Sequence, residues 1–300
     1  MTEVKTTLTK QKANSKIKKV TQFQLAWEQF RRHKVAVLGS LVFIIMTIMC
    51  YLAPVIAPYE FDDIDLKNRK SAPTAEHIMG TDSLGRDEYT RVLYGGRISI
   101  SIGIFSALVG TVLGTLVGAL AGFYGGRLDN FLMRFTDTAY SIPSLPVLII
   151  LSSYTNSAIP MMILIIGLLS WMATARVVRG SVLSVKENEY IEAAKCVGVR
   201  EARVIVRHIL PNILGPIIVG TTLGVGNAII IESSLSFLGL GVQPPTPTWG
   251  NMLQESQVTM ASEPWLTIFP GVAILIIVLC INFIGDGLND AMDPTLREYS

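Results

Sequence analysis

Charge is scarce in this sequence. Of 300 residues, 16% are Asp, Glu, Lys or Arg, where a soluble domain carries roughly 25%. With 50% hydrophobic residues and a mean hydropathy of +0.47, the chain cannot surround its core with a water-facing surface. That excludes an ordinary soluble enzyme. Cysteine is scarce too, and three cysteines exclude a disulfide framework. Cys50 and Cys280 lie in apolar runs and Cys196 in a charged segment. The histidines are His33, His77 and His208, in separate segments, and no His/Cys/Asp/Glu cluster has metal-ligand spacing. No HExxH or GxSxG occurs. No lysine directly follows a glycine, so there is no phosphate loop. No catalytic residue, metal or bound cofactor is expected of this chain, and any ATP and Mg would sit on a partner. A net charge of +2 offers nothing to nucleic acid.

What the chain has instead is long apolar runs. A helix crossing a bilayer needs about 20 mostly apolar residues. Six segments meet that length: Val35–Ala57, Ile98–Gly122, Phe131–Leu151, Ile159–Val178, Ile213–Leu238 and Trp265–Ile284. The third is the weakest, because Arg134 and Asp137 make its start polar and Pro143 and Pro146 interrupt it. The first is too long and too far from the N-terminus for the h-region of a signal peptide, which runs about 7–15 residues. The expected fold class is therefore all-α integral membrane with six transmembrane helices. Its parts are a basic tail at 1–34 with an interfacial helix, a first span at 35–57, an external loop at 58–97, a five-helix core at 98–284 and a tail at 285–300.

Lysine and arginine set the orientation. Nine of the 25 lie in the first 34 residues, seven lie between Arg176 and Arg207, and the tail holds Arg297. With six spans these fall on one side, so both termini are expected in the cytoplasm. An odd number of spans would put the 176–207 segment on the wrong side. The loop at 58–97 holds six basic residues but also eight acids. Within it, Asp82/Arg86 and Asp87/Arg91 are i, i+4 pairs that favour a short exposed helix, and the loop reads as solvated and self-neutralising. Phe23, Trp27 and Phe30 recur at i, i+4, i+7, followed by Arg31, Arg32 and Lys34. That pattern suits a helix lying at the membrane interface.

Four glycines, Gly110, Gly114, Gly118 and Gly122, recur every four residues in the second span and invite close approach of another helix. Polar residues inside spans are functional suspects. Arg134 and Asp137, at i, i+3, can neutralise each other as a structural pair. Glu232 in the fifth span either lines a passage or hydrogen-bonds a neighbouring helix, and sequence alone does not separate the two.

The segment 186–212 reads as two short amphipathic helices joined at Gly198. Tyr190, Ala193, Ala194 and Val197 share one face of the first, with Glu189, Glu192 and Lys195 opposite. Ala202, Ile205, Val206, Ile209 and Leu210 form an apolar face of the second, with Arg200, Arg203 and Arg207 forming a basic one. By pattern, such an elbow either docks a protein or lies on anionic lipid.

The string Glu192-Ala193-Ala194, three residues, Gly198, nine residues, then His208-Ile209-Leu210-Pro211 resembles the EAA loop of ABC importer permeases. It departs from the usual pattern at His208, where an aliphatic residue is common, although histidine is frequent in one branch. Gly80-Thr81-Asp82, Gly85-Arg86-Asp87, Gly95-Gly96-Arg97 and Leu235-Ser236-Phe237-Leu238-Gly239-Leu240-Gly241 resemble that branch, the C-type permease of dipeptide and oligopeptide importers. The resemblance spans roughly 25–300. It implies the type I importer permease fold and a bacterial cytoplasmic membrane location. It also implies a homologous second permease (B-type), one or two cytoplasmic ATPases and an extracytoplasmic peptide-binding protein, all in membrane lipid. Glu192, Ala193, Ala194, Gly198, His208, Leu210 and Pro211 would form the coupling surface for the ATPase. Two other readings compete: a permease of the same kind for nickel or another small solute, and a self-contained ion-coupled transporter using Glu232. No internal repeat of the kind such transporters show is evident.

Overall fold

A computed structural model describes residues 22–154 and 158–292. The first 21 residues of the basic tail, and Arg297, lie outside the described residues. Among the described residues the regular structure is helical, apart from one isolated bridge between Thr81 and Asp87. Four continuous helices are long and apolar enough to cross a membrane: α2 (Lys34–Tyr51), α4 (Glu88–Tyr124), α11 (Leu214–Phe237) and α13 (Trp265–Met292). The two remaining apolar stretches are each a bent pair of helices. α5 (Gly126–Ser141) meets α6 (Ser144–Ser153) at 78°, and α7 (Ile159–Leu168) meets α8 (Trp171–Lys186) at 46°. Counting each bent pair as one span gives six. The shorter helices are α1 (Gln22–Arg32), α3 (Ala53–Ile56), α9 (Glu189–Cys196), α10 (Glu201–Val204) and α12 (Trp249–Ser256).

The breaks have local causes. Ile142 precedes Pro143 and is extended (φ −79°, ψ 125°), as the residue before a proline tends to be. The polar first half of the expected third span is thereby turned away from the apolar second half. At the other break, Ser170 donates from both its backbone N and its Oγ to the carbonyl of Gly167, a tight i→i−3 turn in place of the α-helical bond.

The second span begins earlier than its hydropathy suggests. Asp87 caps α4 by accepting from the backbone N of Thr90 at 2.8 Å. The helix then runs 37 residues, about 55 Å, well beyond the roughly 30 Å of a hydrocarbon core. Gly95 and Gly96 are helical rather than part of the loop, because they are packing surfaces. A Cβ on Gly95 would press on the backbone of Thr248, and one on Gly96 on Cys50 and Trp249. The glycine stripe works the same way further along. At Gly110, Gly114, Gly118 and Gly122 an added Cβ would come under 3.0 Å from Ser170, Trp171, Ala175 and Val182 respectively. In lipid, where the surroundings are as apolar as the helix, such close backbone approach is a main source of association.

Neighbour contacts fix the relative direction of the helices. Gly39 of α2 abuts Cys280 and Phe283 of α13, and Gly287 abuts Ala36 and Phe30. Gly215 abuts Met292, and Lys186 Nζ donates to the carbonyl of Phe123. α1, the 187–213 segment and the C-terminal end of α13 therefore share one end of the bundle. The 57–87 loop and α12 share the other. In α1, Phe30 is buried against α13 while Trp27 stacks on it and faces outward. Phe30 thus pins the helix to α13; the side chain of Phe23 lies outside the described set.

The expected self-neutralising, exposed helix at 82–91 is not present. Asp82, Arg86, Asp87 and Arg91 are all buried, Arg91 at 1% exposure. Gly80 and Gly85 both have φ near +80° and fold the chain into a turn that Asp82 closes, accepting from the backbone N of Leu84 and of Arg86. Arg86 Nε donates to Asp82 at 2.6 Å. Arg86 and Arg91 then each donate to Glu255 Oε2 of α12, at 2.9 and 3.0 Å. His77 and Asp87 pair beside this lock at 2.9 Å. The charges do neutralise one another, but across the fold and out of water.

Candidate functional site

The 187–213 elbow is built on one buried anchor in each arm. In α9, Ile191 is fully buried and belongs to a cluster with Phe123, Val178, Val182, Val204, Ile209 and Ile213. α9 ends in a Schellman-type turn: Val199 N donates to the Ala194 carbonyl, with Gly198 at φ +79°. Glycine adopts that left-handed backbone without the Cβ penalty of other residues. The second arm continues from α10 through a π turn at Ile205–Ile209 and a 3₁₀ turn at Leu210–Asn212. The wider turn shifts the inward face, and Val204, Ile209 and Ile213 face in at spacings of five and four. Ala202 and Val206, expected on that face at α-helical spacing, point outward instead.

With the anchors inward, the rest of the elbow is presented outward. Tyr190, Val197 and Val206 are 45%, 84% and 65% exposed. Glu192, Ala193, Gly198 and Pro211 are exposed, and Ala194, His208 and Leu210 partly so. All the residues marked by the EAA resemblance thus lie in one segment at one end of the bundle. Ile191, the residue that sets the orientation of α9, was not singled out by the sequence. Its only signal is being the one large aliphatic side chain of that helix.

Helix α8, which leads into the elbow, is tied to α5 by ion pairs that no sequence spacing announced. Arg179 of α8 makes a two-pronged bond to Asp129 of α5, both distances 2.6 Å. Arg176 reaches Asp137 at 2.7 Å and lies over the Tyr140 ring at 4.4 Å. The expected Arg134–Asp137 pair is therefore corrected. Asp137 is committed to Arg176 on the neighbouring helix, and Arg134 faces outward. Residues i and i+3 are near each other on a helix, but a guanidinium on a packed neighbour has the better approach.

Glu232 is fully buried in α11. Its carboxyl accepts from Ser99 of α4 at 2.9 Å and from Ser236 at 2.7 Å. Ser99 also accepts from the backbone N of Trp249. The carboxyl ties α11 to α4 and to the start of α12, and it does not border open space. Among the described residues no group of three or more His, Cys, Asp and Glu could hold a metal ion.

Comparison with known proteins agrees with this architecture. The family described as the binding-protein-dependent transport system inner membrane component matches residues 114–298. The N-terminal TM domain of oligopeptide transport permease C matches residues 21–73. Among curated relatives, the oligopeptide transport system permease protein OppC of Escherichia coli (strain K12) is 43% identical over 277 residues, 92% of each chain. The glutathione transport system permease protein GsiD of Shigella sonnei is 40% identical over 90% of each chain. The dipeptide transport system permease protein DppC of Alkalihalophilus pseudofirmus is 38% identical over 93% of this chain and 91% of its own. A multi-pass helical bundle with an anchored, outward-facing elbow, matched over more than half its length, places this chain in the family of binding-protein-dependent transport system inner membrane components.

Proposed function

We propose that this chain is the C-type permease subunit of an ATP-driven importer of peptides. The observation that carries the reading is the elbow, rigidly anchored by Ile191, Val204 and Ile209 while Tyr190, Glu192, Ala193 and Val197 are left outward. A surface held that firmly and left outward among the described residues is suited to a partner. In this reading the partner is a cytoplasmic ATPase, which also hydrolyses the ATP and holds its Mg. Glu192, Ala193, Ala194 and Gly198 form the contact, and His208, Leu210 and Pro211 shape its second arm. The elbow end, with both termini, then faces the cytoplasm, in keeping with the basic residues at 176–207. The cap of 57–87 and α12 faces outward, toward a peptide-binding protein. A homologous B-type permease supplies the other half of the passage. The oligopeptide, dipeptide and glutathione permeases among the relatives support a peptide cargo.

Mechanically, closure of the ATPases would move the elbow as a rigid lever, because it is clamped to α8 and α4 rather than hinged. To carry the population from 1:99 to 99:1 between inward- and outward-open states, ATP must bind one state more tightly by about 5.5 kcal/mol. The test is Gly198→Arg, which places a bulky side chain at a left-handed position on the docking surface. The membrane bundle should still form, and co-purification with the ATPase and peptide uptake should both be lost. Normal co-purification and uptake by that variant would remove the elbow from the mechanism.

A further inference from the structure

A cavity of about 250 Å³ opens between the break preceding α8 and the middle of α11. Ser170, Thr174, Gly220, Gly224 and Asn227 supply its polar and small-residue wall, and no charged side chain lines it. Asn227 is the unusual member. It lies about 20 Å along α11 from Leu214, midway through a span, and it is exposed. The other exposed side chains of that helix, Leu214, Pro216, Ile230 and Phe237, are all apolar. Its amide has no hydrogen-bond partner among the described residues. An unsatisfied amide facing hydrocarbon is costly, and polar groups at such depth face a bundle interior or a water-filled cavity. Gly220 adds a second sign: a Cβ built there meets nothing within 4 Å. The helix–helix packing that explains the stripe in α4 does not explain this glycine.

We propose that this cleft is the chain's own share of the translocation passage, and that Asn227 with the Thr174 hydroxyl binds the main-chain amides of the passing peptide. The inference rests on the importer reading above. A carboxamide offers one acceptor and two donors, the complement of a peptide C=O and N–H. A wall without charge takes no position on the cargo's side chains. Gly220 keeps the cleft open where the chain must pass. The passage contacts then lie on α11 one to three turns from Glu232, which acts as a buried strut and not as a cargo ligand.

The experiment uses the assembled transporter in sealed vesicles. Asn227→Cys and Gly220→Cys are treated with a charged, membrane-impermeant thiol reagent, with the unmodified chain as baseline and Leu275→Cys, on the exposed apolar face of α13, as comparison. The expected result is labelling at 227 and 220, slowed by transported dipeptide, and none at 275. In parallel, Gly220→Phe should retain co-purification with its partners and lose uptake. Asn227→Asp should shift uptake toward peptides with basic side chains and away from acidic ones, which a purely structural asparagine would not do. Cysteines at 227 and 220 as silent as at 275, while the unmodified assembly transports peptide, would overturn this assignment alone and leave the face to lipid or to the second permease. An unmodified assembly that moves no peptide would overturn the importer reading and this inference with it.

Discussion

The two ends of the bundle treat charge in opposite ways. At the cap, Arg86 and Arg91 are buried, pair with the buried Asp82 and are tied to Glu255 on a different element. At the elbow, Glu192, Arg200, Arg203 and Arg207 are exposed, and only aliphatic anchors are buried. A buried ion network fixes one geometry, since removing a partner strands a charge out of water. An exposed set leaves the surface free to bind. The cap is built as a rigid lid joining three segments, and the elbow is built as a handle.

The largest effect should come from breaking the cap. Glu255→Ala removes the carboxylate shared by two buried guanidiniums and should cost roughly 3–5 kcal/mol in detergent-unfolding measurements. Glu192→Ala, at the opposite end, should change stability by no more than about 0.5 kcal/mol and should show instead as weaker ATPase capture. Equal stability losses at the two sites would erase the contrast.

A middle-sized effect separates glycines that pack from glycines that do not. Gly118→Ala forces a Cβ into Ala175 and Val178 and should cost about 1–3 kcal/mol by overpacking. Gly180→Ala, in α8 with open space around it, should be stabilising by up to about 1 kcal/mol from helix propensity. Thermal unfolding of the two variants side by side checks this.

The smallest effect tests the corrected ion pair. Asp137 and Arg176 are 60% and 43% exposed, so Asp137→Ala should cost no more than about 1 kcal/mol. A double-mutant cycle should find coupling between 137 and 176 and none between 137 and 134.

Hydropathy located the four continuous spans and the two bent helix pairs, and residue spacing located the elbow and the glycine stripe, because these are local, periodic signals. What was not legible depended on distant partners or on a change of helical period. Asp82 and Arg86 are spaced as helix neighbours, yet Gly80 and Gly85 bend the chain. The arginines find a carboxylate 164 and 169 residues away, which no window of sequence displays. The π turn at Ile205–Ile209 rotated the second arm, so an α-helical reading put Ala202 and Val206 inward. Glycines at 95 and 96 read as a loop because only Cys50, Thr248 and Trp249, far off in sequence, show why they are small.

The central claim is that the elbow is a handle for another protein. It is tested most directly by isolating this chain from native membranes in mild detergent and identifying what accompanies it by mass spectrometry. The expected result is a second permease with one or two ATPases, the ATPases being lost from the Gly198→Arg preparation while the second permease remains. A chain that comes out alone, or that keeps its ATPases after Gly198→Arg, would contradict the account.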